Sequence, residues 1–167
     1  MMSNLDLFQR VKTLKLPIGK YALFGSAPLG IRGLRDCHDI DIIATNDLWD
    51  ECKSGSWEIK TLPDGNQYLW NDGIELWKDW KPGPWDIEAL IQEAEMIQGL
   101  PFVKLEQVLR WKKLLAREKD LEDIEAIEKF FLAQPRDVHK KNFIPAAFCT
   151  IPRQGRCCFI TEIRAQR

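Results

Sequence analysis

The chain reads as an α+β protein: a small mixed sheet flanked by helices, followed by a C-terminal helical segment. Three observations predict this. Short apolar runs of strand length recur through the first eighty residues, separated by glycine-containing turns. Apolar residues at helical spacing mark the opening segment and the stretch from 104 to Pro135. The Lys81-Pro82-Gly83-Pro84 break parts the strand-rich region from the helix-rich one. The 167 residues, 45% hydrophobic and 29% charged, suit one compact domain with a real core.

Taken in order, Leu5, Phe8, Val11 and Leu14 fall at helical spacing and predict a helix over 4–15, ended by Pro17. Tyr21–Phe24 reads as a short buried strand closed by Gly25-Ser26. A short helix with Pro28 in its first turn is expected over 27–34. Residues 39–44 follow as a strand with Ile40, Ile42 and Ile43 as its apolar content, and Thr45 or Asn46 caps a helix to about Cys52. Strands are expected over 57–62, 67–70 and 74–77, with Asp64-Gly65 and Asn71-Asp72-Gly73 as the turns. Five of the seven tryptophans fall between 57 and 85, as on a half-buried sheet, where large aromatics are favoured, or as on a base-stacking platform. Beyond the proline break come a helix over 86–97, an extended piece at 100–103, and a helix over 104–117 with Leu105, Val108, Trp111 and Leu115 as its stripe. A last helix starts near Asp120, placed as its cap, and uses Ile124, Ile127, Phe130 and Phe131.

The expected organisation is a core over 1–97, a helical segment packed on it over 98–133, and a basic tail over 134–167. That tail holds seven Lys/Arg against two acidic residues, a pattern of mobile termini and of segments that touch nucleic acid. The net charge of -1 provides no global attraction to nucleic acid or membrane, so an anionic ligand needs a local site. No apolar run reaches membrane-span length and the N-terminus lacks a signal-peptide core, so no membrane partner is expected and the cytoplasm is the default location. Five cysteines with no C-x-x-C pair point to free thiols rather than zinc or disulfides.

Chemistry concentrates in FGSAPLGIRGLRDCHDIDII. Alternation along a strand puts Asp39 and Asp41 on one face, where two carboxylates repel unless a divalent cation joins them. Magnesium takes a few carboxylates together with phosphate oxygens and water. Gly25 permits close backbone approach, and the Ser26 hydroxyl with the amides that follow can grip a phosphate. Glu75, flanked by Ile74 and Leu76, is either a third carboxylate of that site or a solvent-facing strand residue. Arg32 and Arg35 are placed to steady a triphosphate, or are simply exposed arginines. His38 adjoins the acidic pair. No Ser-His-Asp or Cys-His arrangement stands out by spacing.

The order of a Gly-Ser turn, a short helix and Asp-x-Asp on the next strand, with an acidic residue on a later strand, resembles the nucleotidyltransferase superfamily that includes DNA polymerase beta. The resemblance covers roughly 21–76 and is carried by Gly25, Ser26, Asp39, Asp41 and Glu75. Downstream, VLRWKKLLAREKDLEDI resembles the helical segment of bacterial minimal nucleotidyltransferase proteins, including those of abortive-infection and toxin–antitoxin systems, through Lys112, Arg117, Lys119, Asp120 and Asp123. The resemblance implies a nucleotidyltransferase fold, with Asp39, Asp41 and Glu75 as catalytic metal ligands for Mg2+ or Mn2+. It also implies a phosphate contact from Lys112, which joins Gly25, Ser26 and Arg32 as the nucleotide-binding candidates, although a solvated basic helix face would account for the downstream cations as well.

The expectation that follows is an enzyme passing a nucleoside monophosphate from an NTP, such as ATP, to an acceptor hydroxyl on a small molecule, a protein or an RNA. The alternative is a catalytically silent module, antitoxin-like or regulatory, whose downstream helices meet a protein partner or a second copy of the chain. A nucleic-acid-binding role for the basic tail is a third reading.

Overall fold

A computed structural model describes residues 3–134; the basic tail, with His139 and Cys149, Cys157 and Cys158, lies outside them. The described chain is α+β, with a seven-stranded mixed open sheet and six helices. In order these are α1 (Asn4–Thr13), β1 (Tyr21–Phe24), α2 (Ala27–Gly30), β2 (Ile40–Ala44), α3 (Asn46–Ser54), β3 (Glu58–Thr61), β4 (Gln67–Asn71), β5 (Ile74–Trp77), α4 (Ile87–Gln92), β6 (Glu95–Ile97), β7 (Leu100–Phe102), α5 (Leu105–Leu115) and α6 (Glu118–Ala133). The strand order is β3-β4-β5-β2-β1-β7-β6. β1 runs antiparallel to β2 and parallel to β7, and β2 runs parallel to β5.

Both faces of the central strands are covered, so β1 is buried along its whole length. On one face Leu23, Ile40, Ile42 and Leu76 pack with Leu7, Phe8 and Val11 of α1 and with Leu48 and Trp49 of α3. On the other, Ala22, Phe24 and Ile43 pack with Leu29, Leu90 and Ile91, with Val108 and Trp111 of α5, and with Ile127 of α6. Ile40 and Ile42 take the first face, so alternation sends Asp41 to the second, beneath α5 and α6.

Three expected elements differ. The helix expected over 86–97 stops at Gln92, because 95–102 forms a hairpin closed by Gln98 (φ 50°) and Gly99 (φ 80°). This two-residue turn has positive φ at both positions and does the work of the commoner Asn-Gly. The boundary expected at 97/98 therefore falls inside that hairpin, and β7 joins the sheet beside β1. The helix expected over 27–34 closes after Gly30. Asp120 is not a cap: α6 begins at Glu118 after Arg117, and Asp120 sits in its first turn with its carboxylate turned to Arg117 and Lys112. Among the described residues no helix is long and apolar enough to cross a membrane.

Candidate active site

The ends of β1, β2 and β5 bring the predicted carboxylates and glycine turn together. Strand register places Asp41 opposite Phe24 on one side and opposite Glu75 on the other, and Asp39 lies one residue before β2. Gly25, with φ 63°, lies directly over Asp41; a Cβ at this position would collide with Asp41 Oδ2. Only glycine lets the turn after β1 close on that carboxylate without backbone strain. Ser26 begins α2, and its side chain makes no capping bond to that helix. All five residues line one cleft of about 690 Å³.

The electrostatics of the cleft are frustrated. The Asp41 carboxyl is pushed up to about 8, first by burial and then by the charges of Asp39 and Glu75, against the opposing pull of Lys112 and Lys119. Glu75 is raised too, by burial and then by Asp39. The Trp77 indole N–H lies near enough to ease Glu75 slightly but falls short of hydrogen-bonding geometry, leaving that nitrogen without a partner.

Lys112, although it lines the same cleft, does not offer a free ammonium. It is 3% exposed, and its Nζ lies 3.1 Å from Asp120 Oδ1 and 2.7 Å from Asp123 Oδ2. Each of those aspartates holds an arginine. Arg117 meets Asp120 as a fork, Nε to Oδ2 at 2.6 Å and Nη2 to Oδ1 at 3.0 Å, while Arg35 Nη1 donates to Asp123 Oδ2 at 2.5 Å. Burial works to raise Asp120, but the hydrogen bonds from Arg117 and then Lys112 outweigh it and hold the carboxyl below its ordinary range. Three cations against two carboxylates leave this cage one positive charge in excess. Arg35, Arg117 and Lys119 all border the cleft, as does the exposed His38.

Arg32 lies elsewhere. Its guanidinium donates to the Pro28 carbonyl at 2.8 Å and pairs with Glu95, pinning α2 to β6, and it is not among the cleft-lining residues. Sequence reasoning also missed Asn4. Its amide donates to the carbonyls of Gly30 (3.3 Å) and Arg35 (3.0 Å), and its Oδ1 accepts from the Cys37 backbone N–H at 2.7 Å. One side chain at the start of α1 thereby fixes the loop between the Gly-Ser turn and the aspartates. An asparagine behind a capping serine carries no sequence signal for such a role.

The donors fit a hard cation in type. Among the described residues no three His, Cys, Asp or Glu side chains converge as a preformed metal cage. Magnesium does not require one: it is ordinarily held by one or two carboxylates together with phosphate oxygens and water. Burial and then repulsion from Asp39 and Glu75 raise Asp41, and a bound dication removes that repulsion. No protein-family model, no curated protein and no solved structure matches this chain.

Proposed function

We propose that the protein is a metal-dependent nucleotidyltransferase that moves a nucleoside monophosphate from an NTP to an acceptor hydroxyl. The observation that carries the reading is the juxtaposition at the ends of β1, β2 and β5: three carboxylates, one of them, Asp41, pushed up to about 8 and lying against a turn that glycine alone makes without strain. Asp39 and Asp41 would hold Mg2+ or Mn2+, with Glu75 beside them. When bound, the metal supplies Lewis-acid neutralisation of phosphate charge. Gly25-Ser26 grips the phosphates, and Arg35 and Arg117, each braced by an aspartate of the Lys112 cage, face the same cleft with planar donors suited to phosphate oxygens.

In the reaction the acceptor oxygen forms a bond to the α-phosphorus, the bond to the pyrophosphate oxygen breaks, and pyrophosphate leaves. The hydroxyl proton passes to Glu75, whose carboxyl is raised above its ordinary value by burial and then by Asp39, which strengthens it as a base. Positioning and charge stabilisation supply most of the acceleration in this chemistry.

Thermal unfolding with each NTP, with and without magnesium, tests the reading. Saturating MgNTP at a hundred times its Kd should stabilise the wild type by about 2.7 kcal/mol, and Asp41→Asn should abolish that gain. Absence of a response to any of the four nucleotides with magnesium or manganese would sink the proposal.

A further inference from the structure

The carboxylates and the basic cage occupy one end of the cleft. Beside Glu75 its surface is aromatic: Trp77 and Trp80 line the same continuous space, and Trp111 links Trp80 to the cage, its ring 5.5 Å from Lys112 Nζ. These rings are held in fixed orientations by one another. Trp80, 7% exposed, stands edge-on to Phe24 at 4.4 Å and to Trp77 at 5.9 Å, and lies 5.0 Å from Trp111. Trp77 is half-buried and stacks on Tyr68 at 4.6 Å with an interplanar angle of 19°. Trp111 spends its indole N–H on the Lys81 carbonyl at 3.1 Å.

Trp80 spends its N–H on nothing, and that of Trp77 approaches Glu75 without completing a hydrogen bond. Among the described residues, their Nε1 atoms are the only buried side-chain nitrogens or oxygens without a hydrogen-bond partner. Buried polar groups in native proteins are nearly always paired, so each exception calls for an explanation such as a functional role or a water or ion that completes it. The two exceptions here are neighbours, and both belong to residues lining the cleft. A partner for this end must be flat enough to lie among ordered indoles, must carry hydrogen-bond acceptors, and must be continuous with a group held at the carboxylates. We infer that the Trp77–Trp80 end of the cleft is the subsite for the nucleobase of the NTP. The inference rests on the nucleotidyl-transfer reading and extends it by giving the base its place. Stacking on aromatic side chains tolerates any base, since each has a π face, and is worth roughly 10- to 100-fold in affinity per base.

Calorimetric titration of the full chain with ATP and with inorganic tripolyphosphate, both with magnesium, separates the two ideas. The wild type should bind ATP roughly 10- to 100-fold more tightly than tripolyphosphate. Trp77→Leu should bring ATP down to the tripolyphosphate affinity and leave tripolyphosphate binding unchanged. Trp80→Phe, which keeps a ring in the core while deleting the donor, should erode the ATP preference by several-fold and serves as the second variant should Trp77→Leu fold poorly. Equal affinity of the wild type for ATP and tripolyphosphate overturns the base subsite while leaving the phosphate and metal reading intact. An ATP preference that survives in both variants also overturns it, because the base then lies elsewhere. Failure of both compounds to bind the wild type overturns both readings.

Discussion

Asp41→Asn is expected to stabilise the metal-free protein at alkaline pH while destroying its response to MgNTP. Unfolded, the carboxyl titrates near its ordinary value of 3.8; folded, it is pushed up to about 8 by burial, Asp39 and Glu75. Between those values the native state keeps a proton that the unfolded state has released. Stability therefore falls as pH rises through this window, and the full penalty is in place above about pH 8. At about 1.4 kcal/mol for each tenfold change in proton affinity, the interval corresponds to an upper bound on the order of 6 kcal/mol. Asp41 retains a partly open face toward the cleft, and solvent screening there reduces the penalty to about 2–4 kcal/mol. Asparagine keeps the shape and removes the charge, so the variant should melt roughly 5–10 °C higher than wild type at pH 9 in EDTA. The gap should narrow steadily toward pH 5, where the wild-type carboxyl is protonated in the native state. Urea unfolding at a series of pH values is the assay. A variant as stable as wild type at pH 9, or less stable, would refute the argument that uncompensated carboxylate charge loads this site.

Lys112→Met should destabilise the fold by about 3 kcal/mol in urea unfolding at neutral pH, because it leaves Asp120 and Asp123 buried without their shared ammonium. Asp120 is held below its ordinary value, so the wild-type advantage should be complete above about pH 4 and fade as acid protonates the carboxyl. Gly25→Ala forces a Cβ into a left-handed turn and onto Asp41. It should lower stability by about 1–2 kcal/mol and remove the thermal response to MgNTP, whereas a variant that retains the full response would show that the turn does not need to close on the carboxylate.

Much of the fold was legible because its signals are local. The β5 strand and the Tyr21–Phe24 strand fall where apolar content and flanking glycines put them, and the apolar stripe of α5 marks the face it buries. The β6–β7 hairpin was not legible, since Gln98-Gly99 is an uncommon pair for such a turn and 86–97 has enough apolar content to pass for one helix. At the site, proximity of Asp39, Asp41 and Gly25-Ser26 followed from strand alternation and motif order, whereas Glu75 read equally as a third carboxylate or a solvent-facing strand residue until β5 paired with β2. The destinations of long side chains did not. Arg32 and Arg35 are three residues apart on one loop, yet one reaches Glu95 and the other Asp123, and only the packing of α6 and β6 decides which faces the cleft. Lys112 read as an available cation because burial of an ammonium between two aspartates is a tertiary event.

The loop from Gly30 to Cys37 is held at two points distant in sequence, by Asn4 at the start of α1 and, through Arg35, by Asp123 of α6. Synthesis delivers the first of these anchors before any strand of the sheet and the second only after all seven. A nascent chain of about a hundred residues would therefore carry every carboxylate of the site without the brace that steadies Arg35. The cleft is completed only once α6 has been made, and a truncation before α6 would keep the motif while losing one of the two restraints that shape it.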